Sequence, residues 1–80
     1  MKVTVELIAI ELPEFGGAKS RDLDLAAGAN LAGALSGLGV DRDPAILAML
    51  NGEAVPRDQW PETPLSPGDT VSLFRPFKGG

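Results

Sequence analysis

The sequence predicts an α+β domain in which a mixed sheet of four to five strands carries one main helix on one face. Alternating apolar and polar residues near both chain ends and around residue 50 indicate strands. One apolar stripe at helical spacing indicates a single helix. The 80 residues, of which 44% are hydrophobic and 22% charged, suffice for one small globular domain. Since a lone helix must bury its stripe, we expect it to pack on the sheet.

The N-terminal quarter of the chain predicts two strands joined by a long connection. Alternation from residue 2 to residue 9 places on one face Val3, Val5, Leu7 and Ala9. This strand is expected to end near Leu12, because Pro13 has a fixed φ and no N–H. Residues 13–20 contain a Gly pair and predict a mobile loop. Alternation resumes over residues 21–25, which predicts the second strand.

The middle of the chain predicts the helix. Asn30 is a favourable N-cap, and Gly39 is a natural stop. The apolar stripe between them consists of Leu31, Ala34, Leu35 and Leu38. Gly33 and Gly37 lie inside the helix and each costs roughly 1 kcal/mol relative to Ala, so the helix needs a packing partner.

The second half predicts three further strands. Residues 46–50 form an apolar run typical of a buried strand, and Asn51-Gly52 is a strong hairpin signal. A short strand at residues 53–55 stops at Pro56, residues 57–68 are irregular, and residues 70–74 form the last strand. This order, with the first and last strands parallel at the centre, is the β-grasp or ubiquitin-like architecture. We predict a β-grasp domain over residues 1–75 and a flexible Gly-Gly tail over residues 76–80.

Composition excludes several functions. The chain has no Cys and no His, which removes thiolate and imidazole nucleophile systems and the usual zinc ligands. Its aspartate pairs at residues 22/24 and 41/43 supply too few ligands, so no metal site is predicted. A net charge of −4 argues against nucleic acid, and no apolar run is long enough for a signal or membrane segment. We expect a cytoplasmic protein without a nucleic-acid or membrane partner.

The C-terminal Gly79-Gly80 is the feature that suggests chemistry. Two residues without Cβ can thread a narrow channel in an extended form and present an α-carboxylate. This carboxylate is ionised at neutral pH and is a poor electrophile until it is activated. An ATP-using partner could convert it to an acyl adenylate, from which a sulfur donor could displace AMP and leave a terminal thiocarboxylate. Such a scheme requires no catalytic side chain on the carrier.

Several motifs resemble the ubiquitin-like sulfur carriers of the ThiS and MoaD families over essentially the whole chain. The end of the chain, Leu73-Phe74 followed by four residues and Gly79-Gly80, is similar to both families. The Pro-Gly-Asp turn at residues 67–69 is common to them. Residues 55–60, Val-Pro-Arg-Asp-Gln-Trp, resemble a ThiS stretch, whereas the long first loop and Pro76 look more like MoaD.

The resemblance implies a carrier that is not itself an enzyme and binds no cofactor. Gly80 would be adenylated by an E1-like enzyme of the ThiF or MoeB type, which uses ATP, and thiocarboxylated from a sulfur donor. Gly79 would allow threading, and the residues that contact partners would be Phe74, Arg75, Pro76, Phe77 and Lys78. The sulfur acceptor would be thiazole synthase, slightly favoured, or the large subunit of molybdopterin synthase, and related carriers that serve other sulfur-containing metabolites share the same tail.

Other features of the sequence have plainer interpretations. Trp60 is expected to be a core or lid residue, and Arg57 and Trp60 are expected to fix the loop after the hairpin rather than touch a ligand. Solvation of Arg75 and Lys78 is as plausible as partner contact. Two alternative functions stay open, a protein modifier that forms isopeptide bonds to Lys and a non-covalent ubiquitin-like interaction domain. Neither the acceptor nor the oligomeric state follows from the sequence.

Overall fold

The computed structural model describes residues 1–76 and shows a five-stranded mixed sheet in the order β2-β1-β5-β3-β4. The strands are β1 (Lys2–Ile8), β2 (Ser20–Asp24), β3 (Leu47–Leu50), β4 (Glu53–Val55) and β5 (Thr70–Phe74). β1 and β5 are parallel and central, and every other pairing is antiparallel. The predicted mixed sheet with parallel first and last strands is therefore confirmed.

One α-helix packs on this sheet. Helix α1 (Leu31–Gly37) begins at Asn30, whose side chain accepts a hydrogen bond from the backbone N–H of Gly33 at 2.8 Å. It ends before Gly39, which has a left-handed φ of 76°. The inward residues of the helix share one hydrophobic core with those of the central strands: Leu31, Ala34, Leu35, Val3, Val5, Val71 and Leu73. Full burial of each large aliphatic side chain contributes about 1.5–3 kcal/mol, which stabilises this short helix.

The first loop departs from the sequence prediction. β1 ends at Ile8 rather than near Leu12, because Ala9 adopts a left-handed φ of 59°. This reversal turns Ile10 into the core, where it is buried. A 3-10 helix at Pro13–Phe15 follows, and it buries Phe15. The loop predicted over residues 13–20 therefore contains a short helical turn that the sequence did not indicate, and burial of two large apolar side chains favours this conformation.

β3 is buried on one face only. Ala48 is buried, but Leu47 is 44% exposed, so the strand alternates rather than being covered on both sides as the apolar run suggested. The reason is that α1 covers a single face of the sheet, and the sequence pattern alone could not show which side of the run faces away from it.

Two turns fix the start of β5. Asn51 and Gly52 both have positive φ, 51° and 86°, as the predicted two-residue hairpin requires. The Asn51 side chain accepts from the Thr70 N–H at 2.9 Å and donates to Asp69 Oδ1 at 3.0 Å. Asp69 Oδ2 also accepts from the Ser66 N–H at 2.8 Å. These contacts tie the β3–β4 hairpin to the Pro-Gly-Asp turn, and so they hold the strand that leads to the C-terminal segment.

Candidate functional site

The predicted site lies at the end of β5. Phe74 is the last residue of this central strand and is half-buried, and Arg75 and Pro76 follow it exposed. Four predicted site residues, Phe77, Lys78, Gly79 and Gly80, lie outside the described residues. Their roles, and the division into a domain at 1–75 and a tail at 76–80, stay predictions. The structure therefore describes only the start of this region, Phe74, Arg75 and Pro76, which we call the root of the tail.

An apolar row crosses three strands at this root. Phe74 of β5 is paired in register with Ile8 of β1 on one side and Leu47 of β3 on the other. All three belong to the face opposite the helix, and we call them the outer-face row. Ile8 is 47% exposed and Leu47 44% exposed. Exposed apolar groups that are contiguous rather than scattered are typical of protein-binding surfaces.

Sequence reasoning found only one member of the outer-face row. Ile8 stood at a nominally polar position of an alternating strand, and Leu47 was hidden in an apolar run. In β1, an apolar residue at an outward position was a sign of an exposed apolar surface. That surface could not be located from the sequence, because only the strand register shows that the three side chains lie side by side.

An ion pair links the root of the tail to the segment before β3. The guanidinium Nη2 of Arg75 donates to Asp43 Oδ2, while Asp43 Oδ1 accepts from the Ala45 N–H at 2.9 Å. The Ala45 N–H and then Arg75 lower the pKa of Asp43 from its ordinary value. Arg75 was predicted to bind a partner, and here it binds its own chain. Asp43 was not among the predicted site residues.

Arg57 fixes the same segment from another direction. Its guanidinium donates to three backbone carbonyls, those of Asp41 at 2.9 Å, Asp43 at 2.7 Å and Ile46 at 3.0 Å. It also lies over the Trp60 ring, 4.3 Å from the centroid. Trp60 is buried and donates its indole N–H to the Val55 carbonyl at 3.0 Å. These contacts confirm that Arg57 and Trp60 fix the loop after the hairpin.

Two carboxyl groups among residues 1–76 have pKa values that depart from the ordinary one. The pKa values of both Asp43 and Asp69 are lowered, for Asp69 by the Asn51 amide first and then by the Ser66 N–H. This direction makes them weaker bases and is opposite to that of a carboxylic general acid. Residues 1–76 contain no cluster of three or more Asp or Glu side chains that could hold a metal ion. Over the same range, no helix is long and apolar enough to span a bilayer.

The architecture, with a central last strand that leads toward a Gly-Gly end, defines the class as a β-grasp, ubiquitin-like domain. The ThiS family model matches residues 7–80, so the chain belongs to the ThiS family, among the ubiquitin-like sulfur carriers. This confirms the resemblance drawn from the sequence. A comparison with curated proteins gave no match.

Solved structures of similar proteins share the whole fold. The thiamine biosynthesis protein ThiS from Geobacter metallireducens is 28% identical with a TM-score of 0.71, and the match covers 100% of both chains. SAMP1 from Haloferax volcanii is 24% identical with a TM-score of 0.74, again over 100% of both chains. A chain in the complex of subunits 1 and 2 of molybdopterin-converting factor from Helicobacter pylori 26695 is 21% identical with a TM-score of 0.69 and the same full coverage.

Proposed function

We propose that this chain is a sulfur carrier whose Gly80 carboxylate is adenylated by an E1-like enzyme of the ThiF or MoeB type and then converted to a thiocarboxylate. The observation that carries the proposal is the ThiS family match, which extends through Gly79-Gly80. The fold supports it, because the central strand β5 leads directly toward this end of the sequence.

The proposed chemistry takes place on the carboxylate alone. A carboxylate oxygen attacks the α-phosphorus of ATP, pyrophosphate leaves, and an acyl adenylate forms. Hydrosulfide then attacks the acyl carbon, AMP leaves with the C–O bond electrons, and loss of a proton gives the thiocarboxylate. The partner supplies ATP binding and every catalytic side chain. A chain without Cys or His is suited to the role of a carrier rather than an enzyme.

The outer-face row is the proposed docking surface for the activating enzyme. Phe74 would contact it together with the next four residues of the sequence, Arg75, Pro76, Phe77 and Lys78. Ile8 and Leu47 are each a little under half exposed, and since full burial of such a side chain contributes about 1.5–3 kcal/mol, burial of the exposed part would contribute up to about 1 kcal/mol each. Because association costs reduce this gain, the figure is an upper limit. Gly79 would then cross the narrow part of the partner's channel.

Thiazole synthase is the proposed sulfur acceptor, ahead of the large subunit of molybdopterin synthase. The ThiS family match and the 28% identity to the Geobacter protein favour the thiazole branch. The molybdopterin-converting factor chain is only 21% identical, a level that shows the fold alone. Its two-subunit complex is nevertheless a precedent for a partner protein.

Reconstitution tests the proposal. The chain, a ThiF-type enzyme, ATP and sulfide are combined, and intact mass is expected to show one oxygen replaced by sulfur. Deletion of Gly80 should abolish the shift, and Gly79→Ala should slow it while both variants unfold like the parent. An unshifted parent chain with both ThiF- and MoeB-type enzymes would overturn the proposal. Higher-mass adducts on Lys of other proteins would instead indicate a modifier, and sulfur release to each synthase separates the two branches.

A further inference from the structure

The segment at residues 40–46, between α1 and β3, is a rigid support beside the root of the tail. We call it the connector. Three hydrogen bonds from Arg57 hold its carbonyls at residues 41, 43 and 46. Val40 and Ile46 are buried at its two ends. Its position is therefore set by contacts that do not involve the tail.

Asp43 is presented toward the tail by its own local geometry. Its Oδ1 accepts from the Ala45 N–H two residues on, which fixes the side-chain rotamer and leaves Oδ2 free to take the Arg75 guanidinium. The carboxylate is 31% exposed and the Arg75 side chain 52% exposed. The pair is accordingly open to solvent, screened by salt and weak enough to be reversible.

The backbone of Arg75 is restricted at the same point. Its amino side is the end of β5, where Phe74 is paired with β3. On its carboxyl side stands Pro76, and a residue before proline is driven away from helical conformations into extended ones. The backbone of Arg75 is therefore biased toward extended conformations, and its side chain is restrained while the pair with Asp43 is formed.

We propose that Asp43 is a positioning residue, which holds Arg75 against the connector and so restricts the direction of the chain at Arg75 and Pro76 in favour of binding to the activating enzyme. Arg57 contributes indirectly, because its hydrogen bonds fix the connector that carries Asp43. The assignment rests on the proposed function and deepens it. When the competent direction is populated less often, the apparent affinity for the partner falls by the same fraction, whereas the chemistry after docking is unchanged.

Asp43→Asn isolates the contact. Asparagine keeps the oxygen that accepts from the Ala45 N–H and puts an amide, a donor, where Arg75 needs an acceptor. Asp41→Asn is the matched control, since it removes the same charge from an exposed side chain of the same connector. Arg75→Gln removes the other partner. All four proteins should show the same thermal unfolding within error, because the pair is solvent-exposed.

The first measurement needs no partner. The heteronuclear ¹H–¹⁵N NOE and residual dipolar coupling of the Arg75 amide report its order in the free chain. Both are expected to fall in Asp43→Asn and in Arg75→Gln and to persist in Asp41→Asn. Unchanged order at Arg75 in Asp43→Asn would refute the claim that Asp43 restrains Arg75, whatever the function of the protein.

The second measurement is ATP–pyrophosphate exchange with the ThiF-type enzyme. For Asp43→Asn, KM for the carrier should rise about two- to fivefold with kcat unchanged, and the difference from the parent should shrink at high salt. An unchanged KM, or a fall in kcat instead, would overturn the positioning role. If the parent chain were not adenylated at all, the proposed function would fail, while the NMR result would still decide whether Asp43 holds Arg75.

Discussion

Replacement of Arg57 tests whether the Val-Pro-Arg-Asp-Gln-Trp stretch is structural. We expect Arg57→Ala to lower the free energy of unfolding by about 2–3 kcal/mol. The bonds to the carbonyls at residues 41 and 43 are exposed and contribute about 0.5 kcal/mol each. The bond to Ile46 O is part-buried and comes from a charged donor, which makes it worth about 1.5 kcal/mol. The stacking on Trp60 adds about 0.5 kcal/mol.

Two further variants separate these contributions. Arg57→Met keeps the aliphatic stem over the Trp60 ring and removes every hydrogen bond, so it should retain little of the stability that Arg57 contributes. Arg57→Lys keeps the charge, but an ammonium cannot reach three carbonyls in the fork geometry of a guanidinium. We expect it to recover about half of the loss, since it can replace only part of the set.

Urea unfolding followed by the fluorescence of Trp60, the single Trp, measures the change. Thermal unfolding should agree, with a midpoint lowered by about 10–20 °C for a domain of this size. A fall in the free energy of unfolding below about 0.5 kcal/mol for Arg57→Ala is typical of a plain surface substitution, and it would refute a stabilising role for the Arg57 contacts. Parent-like stability of Arg57→Met would refute it as well, because the hydrogen bonds would then contribute nothing.

Three other predictions follow from single contacts. Asn30→Ala should lower the free energy of unfolding by about 1 kcal/mol and Asn30→Ser by much less, since only serine keeps the cap on α1. The pKa of Asp69 is lowered in the folded state, so its stabilisation is present above the ordinary value of 3.8 and is lost as the pH falls further. The free energy of unfolding, measured by denaturation at pH 7 and pH 3, should therefore fall less in Asn51→Gly than in the parent chain. Leu47→Asp should lower the free energy of unfolding by about 1 kcal/mol, which leaves the domain folded, yet weaken binding to the activating enzyme at least about tenfold by calorimetry, and equal affinity would exclude the outer-face row as a docking surface.

The fold was predictable because local signals agreed with one another. The Asn30 cap, the stripe of α1 and the Asn51-Gly52 turn each specify one conformation, and together they leave few topologies for 80 residues. The end of β1 was not predictable from the same signals. Ala9 has no residue-level preference for a left-handed φ, and its conformation accompanies the packing of Ile10 and Phe15 into the core, which local propensity does not encode.

The candidate site was predictable only in part for a related reason. The Gly-Gly end and Phe74 are visible in the sequence, because they follow directly from the motif at the chain end. The partners of Phe74 and Arg75 come from residues 8, 43 and 47, which are distant in sequence. Residues 8 and 47 meet Phe74 through the parallel β1–β5 and antiparallel β3–β5 pairings, which depend on register, and Asp43 reaches Arg75 from the connector before β3.

The two contacts at the tail root suit different steps of an encounter with a partner. The outer-face row is apolar, and its backbone belongs to three paired strands, so in the proposed docking role its contribution would depend on close packing and little on salt. The Asp43–Arg75 pair is exposed, and it can exchange its partner without opening the core. In the proposed carrier role, the chain would bind the activating enzyme first and then pass its end to a second protein. An apolar contact made by the body of the domain and a weak ionic contact at Arg75 would suit both steps, whereas a buried contact at Arg75 would oppose release.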